Sequence, residues 1–268
     1  MLKIAILYVC VGSYTVFWDD FYKSFEEKFI PNAVKEYFVF TDSKDLFDCQ
    51  NNRVHLIKQE NLGWPGNTLF RFRMFLTQKE NLKQFDYIFF INANVVCVEK
   101  VGEEFLPIQE SLLFVQHPGF YNKPNYRFPY DRNKKSSAYI PYGKGAVYVC
   151  GGINGGKSKA FLHMCKVLNQ RIEADYQKGI IALWHDESQV NRYILANKDY
   201  KLLPPGYCFP EGSDIPFQPI LLVREKSKYI NVAKIKNVKR LKLLIDSIKK
   251  GIVYRYFDLK QQLKKRKG

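Results

Sequence analysis

Residues 3–29 read KIAILYVCVGSYTVFWDDFYKSFEEKF. Lys3 to Val11 is a continuous apolar run, the pattern of a strand buried on both faces. Gly12 ends it. Phe17, Phe21, Phe25 and Phe29 then recur every fourth residue, one stripe of an amphipathic helix that Pro31 closes. The alternation continues downstream. Glu36 to Thr41 and Arg53 to Lys58 read as strands, Asn67 to Lys83 as a helix, and Tyr87 to Ile91 as another fully buried strand. Strands alternating with helices in this way predict an α/β fold, a mostly parallel central sheet flanked by helices.

Beyond Ile91 the pattern changes. His117 to Pro141 is rich in Pro, Tyr, Asn and charge without a period, and reads as a long functional loop. Ala146 to Cys150 reads as a strand that ends at Gly151-Gly152. Gly155-Gly156 precede a helix running to about Gln177, and Trp184 to Asn197 is a second helical segment. No repeat and no linker divides the chain. Past Lys239, Leu241, Leu244, Ile245, Ile248 and Ile252 fall on one helical face, which predicts an amphipathic tail.

Of the 268 residues, 46% are hydrophobic, enough to exclude disorder for most of the chain. The longest uncharged run, Ile4 to Trp18, is 15 residues and contains Gly12, Ser13 and Thr15, so no transmembrane segment is expected. The six cysteines lie at least 15 positions apart, which gives no metal or redox spacing and points to a reduced, cytosolic compartment. The net charge of +16 is uneven. Arg224 to Gly268 carries +13, and the first 223 residues carry +3. A nucleic-acid enzyme spreads positive charge over its binding face, so no nucleic-acid partner is expected. The tail has two readings, a solvated or packing helix and a peripheral contact with an anionic membrane surface.

Four stretches carry candidate chemistry. Asn92 and Asn94 follow a buried strand, at the end where open α/β sheets bind ligands. Their spacing points both side chains the same way. Two amides can hydrogen-bond a sugar or ribose, but they hold a divalent cation poorly. The plainer reading is that Asn merely ends the strand. Trp184-His185-Asp186-Glu187 joins an aromatic platform, an imidazole and two carboxylates at a helix start. A carboxylate there can act as a nucleophile or stabilise an oxocarbenium-like transition state, or it can simply favour the helix terminus. Gly151-Gly152-Ile-Asn-Gly155-Gly156 lets a ligand approach the backbone closely, although plain turn formation explains it as well. His117 opens the long loop, either as a core histidine or as a binding residue.

In their order along the chain, these motifs resemble the family 6 glycosyltransferases, the family of the histo-blood-group A/B transferases and the α1,3-galactosyltransferase. The similarity runs from about Lys3 to Arg240. Its carriers are Val11-Gly-Ser-Tyr14, Trp64 to Arg71, Asp86 to Asn94, His117 to Tyr121, Ala138 to Pro141, Gly151 to Gly156 and Trp184 to Ser188. The resemblance implies a single-domain GT-A fold over residues 1–240, followed by a basic helical tail over 241–268. It implies transfer from a UDP-sugar with retention of configuration, and with so short a chain, a bacterial member acting in the cytoplasm.

The resemblance also implies roles. Val9, Cys10, Val11 and Tyr14 match uracil-binding positions, and Arg71 matches a basic residue near the donor. Glu187 matches the catalytic carboxylate. His185 and Asp186 match donor-sugar neighbours, and His117 and Trp184 match acceptor contacts, with Glu187 between the two substrates. Lys234 and Arg240 match basic residues of a segment that closes over the diphosphate. Animal members carry Asp-x-Asp, which binds Mn²⁺, where this chain has Asn92-Ala93-Asn94. The expected cofactor is therefore none, with Lys and Arg neutralising UDP, unless the chain is a silent glycan- or UDP-binding relative. Cys150, Gly151 and Gly152 match the place that separates donor sugars. Gly152 leaves room for an N-acetyl group, which favours UDP-GalNAc over UDP-Gal. The expected acceptor is a fucosylated β-galactoside. Glu211 stands where the family has Asp on the acceptor side.

Overall fold

The computed structural model describes residues 1–236 and Arg255. The predicted tail, 241–268, and Arg240 lie outside the described residues. The strands are β1 (Lys3–Val9), β2 (Val34–Thr41), β3 (Val54–Lys58), β4 (Tyr87–Ile91), β5 (Val95–Cys97), β6 (Leu112–Gln116), β7 (Val149–Lys157), β8 (Tyr200–Leu203), β9 (Phe209–Pro210) and β10 (Leu221–Val223). The helices are α1 (Trp18–Lys28), α2 (Gly63–Leu69), α3 (Arg71–Leu76), α4 (Lys79–Leu82), α5 (Ser158–Tyr176), α6 (His185–Ala196) and α7 (Val232–Lys236).

Seven strands form the central sheet in the order β3-β2-β1-β4-β7-β6-β8. β3, β2, β1 and β4 run parallel, as does β8 with β6. β7 runs antiparallel to both its neighbours. A smaller sheet, β5-β10-β9, has no counterpart in the sequence reading. Its strands are two or three residues long, too short to show a period.

β1 shows why the opening run is apolar throughout. Ile4, Ile6 and Tyr8 enter the core on one face, with Phe17, Phe21, Phe25 and Phe29. Ala5 and Leu7 enter the other, with Phe72, Phe75, Phe90 and Phe161. All four phenylalanines of the predicted stripe are fully buried, and the Phe21 and Phe25 rings stack at 4.2 Å.

Two expectations are corrected. The single helix over Asn67 to Lys83 is three short helices. Trp64 is extended inside α2, Phe70 leaves the helical region, and Thr77 Oγ1 donates to the Met74 carbonyl, an acceptor the helix would otherwise use. The break at Phe70 lets Arg71 begin a new helix. The Gly151–Gly156 run, read as turns after a strand ending at Cys150, lies inside continuous β7. A Cβ on Gly155 would collide with the Ile88 carbonyl and Phe89, and one on Gly156 with the Ser111 carbonyl. These glycines let neighbouring strands close up, so their lack of side-chain pattern marks packing rather than a turn.

Residues 117–148 contain only a short 3₁₀ turn, Asn125–Arg127, yet they build their own small core from Phe128, Tyr130, Ile140 and Tyr148. Among the described residues no helix is long and apolar enough to cross a membrane.

Candidate active site

Because β7 is antiparallel, it enters the sheet at the edge where β4 leaves it. The ends of β1 and β4, the start of β7 and the start of α6 therefore converge. A cavity of about 170 Å³ opens there, lined by Val9, Val11, Tyr14, Trp64, Asn67, Arg71, Asn92, Asn94, Lys226 and Ile235, among others. Behind Val11, Gly12 has φ +57°, and its N–H donates to the Asp42 carboxylate at 2.8 Å. Glycine takes that conformation without steric cost. The turn carries Tyr14 to the cavity wall, where Lys226 Nζ lies 5.3 Å from the ring centroid.

Arg71 joins the cavity to α6. It is buried, stacked 4.4 Å from the centre of the Phe90 ring. Its Nε lies 3.2 Å from Asp186 Oδ2, and one terminal nitrogen donates to Asn92 Oδ1 at 3.5 Å. The approach to Asp186 is an ion pair rather than an aligned hydrogen bond. Burial pushes Asp186 up to about 7; Arg71 opposes the rise and Glu187 adds to it.

Glu187 has both carboxylate oxygens engaged. Tyr148 O–H donates to Oε1 at 2.6 Å, and the Gly151 N–H donates to Oε2 at 2.8 Å. Burial raises its pKa, while these two donors and Arg71 pull it down. A Cβ on Gly151 would stand 2.8 Å from Glu187 Cβ, so glycine is what lets α6 approach β7. Asn191 locks the same contact. Its amide exchanges two hydrogen bonds with the Val149 backbone and donates to the Glu187 carbonyl.

The helix start is fastened by Ser188 Oγ, which accepts from the Trp184 N–H at 2.9 Å. His185 has φ +51°, an uncommon backbone for a non-glycine residue, and its ring meets Trp64 edge-on at 5.3 Å. Trp184 is 44% exposed. His117 packs on Phe120 and Tyr148. Its Nδ1 accepts from the Gly119 N–H at 3.0 Å, and burial lowers its pKa to about 4, so the ring is neutral at pH 7.

Of the sequence-predicted residues, Val9, Val11, Tyr14, Arg71, Asn92 and Asn94 line the cavity, and Asp186 and Glu187 meet it through Arg71. Others do not. Cys10 is fully buried, its thiol pushed up to about 12 by burial, and its N–H pairs with the Phe40 carbonyl. Cys150 is likewise buried. Both side chains face the core because strand residues alternate faces. Lys234 is exposed on α7, where its N–H takes the Asn231 side chain; the adjacent Ile235 reaches the cavity instead.

Asn92 and Asn94 are not same-face positions of one strand. β4 ends at Ile91, and residues 92–94 form a turn. Asn92 faces Arg71, whereas Asn94 Nδ2 donates to the Arg224 carbonyl. The room expected at Gly152 is also filled. A Cβ there would lie 2.5 Å from Asn92 Nδ2. Glu211 uses its oxygens on the Glu225 N–H and Lys228 Nζ, and so serves the fold locally.

Asn92 Oδ1 faces the Arg71 guanidinium, and Asn94 offers the cavity one neutral oxygen, its nitrogen being spent on the Arg224 carbonyl. Among the described residues no three His, Cys, Asp or Glu converge. Tyr148, Asn191 and Lys226 were missed by sequence reasoning. Only Asn191 left a signal, as the polar residue one helical turn after Glu187.

The model of glycosyltransferase family 6 matches residues 1–240. The chain is 38% identical over 237 residues to the O-antigen biosynthesis glycosyltransferase WbnI of Escherichia coli, covering 87% of this chain and all of that one. It is 31% identical over 246 residues to globoside alpha-1,3-N-acetylgalactosaminyltransferase 1 of Gallus gallus, covering 88% of this chain and 70% of that one. It is 30% identical over 215 residues to histo-blood group ABO system transferase 1 of Rattus norvegicus, covering 78% and 61%.

Proposed function

The chain belongs to glycosyltransferase family 6, and from that premise we propose a retaining α1,3-N-acetylgalactosaminyltransferase that needs no divalent metal. Family membership makes it a UDP-sugar-dependent hexosyltransferase with a glycan acceptor. The finer reading moves GalNAc from UDP-GalNAc to a fucosylated β-galactoside. The observation that carries it is the Arg71 bridge between the Asn92 turn and the Asp186–Glu187 pair.

In this reading UDP occupies the cavity, with uracil toward Val9, Val11 and Tyr14. Negative charge grows on the diphosphate as the sugar leaves, and Arg71 and Lys226 stand on the cavity wall to meet it. Lys234 and Arg240 would add charge from the C-terminal side. Glu187, held by one phenol and one backbone N–H, supplies the carboxylate that forms a covalent intermediate or stabilises the cation. Asp186 and His185 flank the donor sugar. His117 and Trp184 form the acceptor side, where the neutral imidazole, its Nδ1 taken by the Gly119 N–H, has Nε2–H left to donate to a sugar hydroxyl.

A second reading, a galactosyltransferase using UDP-Gal, is favoured by one observation. Asn92 already packs where Gly152 would leave room for an N-acetyl group. Gly152→Ala then acts by displacing Asn92 and lowers turnover with either donor, rather than shifting preference toward UDP-Gal. The name of the Gallus gallus relative, an alpha-1,3-N-acetylgalactosaminyltransferase, favours the first reading for the donor sugar.

The test incubates the purified protein with each UDP-sugar, fucosylated lactose and excess EDTA. The expected result is an α-linked product, more from UDP-GalNAc, unchanged by the chelator. Activity that vanishes with EDTA and returns with Mn²⁺ removes the metal-free claim, and preference for UDP-Gal promotes the second reading. We place the enzyme in the cytoplasm. Flotation with anionic liposomes tests whether the basic residues after 240 add a membrane contact.

A further inference from the structure

The second asparagine of the Asn92–Asn94 turn has a partner that donor binding does not use. β5 and β10 pair antiparallel, Val95 opposite Val223. One residue further on, the Arg224 N–H donates to the Asn94 carbonyl at 2.8 Å, as a continuing ladder would. The return bond comes from a side chain. Asn94 Nδ2 donates to the Arg224 carbonyl at 2.7 Å. A carbonyl can only accept, so the amide nitrogen is the atom that faces it and Oδ1 is left over. Oδ1 is buried without a protein partner, in a residue only 2% exposed that lines the cavity.

Arg224 begins a strap, residues 224–236, that contributes Lys226 and Ile235 to the cavity wall. At its root the guanidinium donates to Asp20 Oδ2 at 2.6 Å and packs against the rings of Phe17 and Tyr229, 4.9 Å from each centroid. Glu211 holds it again, accepting from the Glu225 N–H at 2.7 Å and Lys228 Nζ at 2.6 Å. Between these anchors Lys226 sits beside Tyr14; past them Ile235 joins the cavity wall, and α7 meets α2.

We propose that Asn94 is a positioning residue whose amide clamps this strap to the end of β4, and so holds Lys226 and Ile235 over the donor cleft. The clamp is a property of the fold; its consequence for UDP rests on the donor-site reading above. It gives the second position of the turn a task that aspartate cannot perform. A carboxylate has no hydrogen to donate, and at this separation it would set two acceptors against each other. An aspartate here would therefore weaken the strap before it could help hold a cation.

Two measurements on the full chain test this. Amide hydrogen exchange on the free protein reads the clamp. Asn94→Ala and Asn94→Asp should each speed exchange across residues 225–236 by about tenfold, with β1 and α5 unchanged. Calorimetry and kinetics read the consequence. The Kd for UDP and the donor KM should rise about tenfold while kcat falls less than about threefold, and Mn²⁺ should not restore Asn94→Asp. Unchanged exchange in the strap, an unchanged Kd, or stimulation of Asn94→Asp by Mn²⁺ overturns the proposal. Should neither variant fold, Asn94→Ser, whose shorter side chain does not span to the Arg224 carbonyl, is judged by the same exchange criterion. A wild-type chain that does not bind UDP sinks the donor-site reading, and the exchange comparison still decides the clamp.

Discussion

At the end of β4, Asn92 and Asn94 offer neutral amides, and the charged side chains that share the cavity wall with them are positive: Arg71 and Lys226. At the start of α6 stand two carboxylates, buried Asp186 and half-buried Glu187, and the hydrogen bonds that the Glu187 carboxylate accepts come from neutral groups, the Tyr148 phenol and the Gly151 N–H. Among the described residues, Arg71 is the charged side chain that touches both patches. The two are thus poled in opposite senses within one site. On the proposed reading this polarity matches the reaction, in which the phosphate side gains negative charge as the sugar side gains positive charge. It also accounts for tolerance of amides in the turn, since the cations needed there come from elsewhere in the chain.

The contrast breaks most sharply at Glu187. Glu187→Gln keeps shape and hydrogen-bonding capacity but removes the charge, and turnover should fall by about a thousandfold with UDP affinity retained. Near-normal turnover would assign the chemistry elsewhere. Gly151→Ala attacks the same carboxylate sterically. The added methyl pushes α6 away from β7, so activity should drop by roughly a hundredfold and stability by about 1–3 kcal/mol, read by kinetics and urea melts.

Asp186 sharpens the comparison through pH. The folded protein holds its proton up to about pH 7, whereas an unfolded aspartate releases it near pH 4. The folded state therefore binds more protons between these values, and stability falls as pH rises across the window. Glu187, also raised by burial, acts in the same sense. His117, whose pKa burial lowers, works the other way over part of this range, so the test is the difference between proteins: raising the pH from about 5 to about 8 should lower the Tm of the wild type relative to that of Asp186→Asn, and identical pH profiles contradict the assignment. A smaller effect is expected at Tyr148. Tyr148→Phe removes one of two donors to Glu187 and should cost about tenfold in kcat, with His117 and the loop core in place.

Much of this was legible from residue patterns because it is local. The run from Lys3 and the phenylalanine stripe encode β1 and α1 in periods of two faces and one face, and the structure keeps both. The Gly151–Gly156 stretch was misread because glycine has no side chain with which to show a period. Only the Ile88 and Ser111 carbonyls across the ladder explain it, and those lie far off in sequence. The site divides in the same way. Glu187 stood out by motif, and Arg71 by the family resemblance. Tyr148, Arg224 and the bond from Asn94 came into view only when strands distant in the chain were brought together, since a hydrogen bond across 130 positions leaves no local trace.

The insertion of β7 between β4 and β6 also has a consequence for biosynthesis. The first 91 residues already contain β3, β2, β1 and β4, joined in parallel. β4, with the sequence Tyr-Ile-Phe-Phe-Ile, is then the bare margin of that half-sheet until the ribosome has delivered Lys157. At translation rates of 5–20 residues per second the interval is roughly 3–13 s. Through that time the nascent chain exposes an apolar strand edge of the kind that recruits other strands. This exposure precedes the formation of the cleft, and a chain stalled before Lys157 should aggregate more readily than one carried past it.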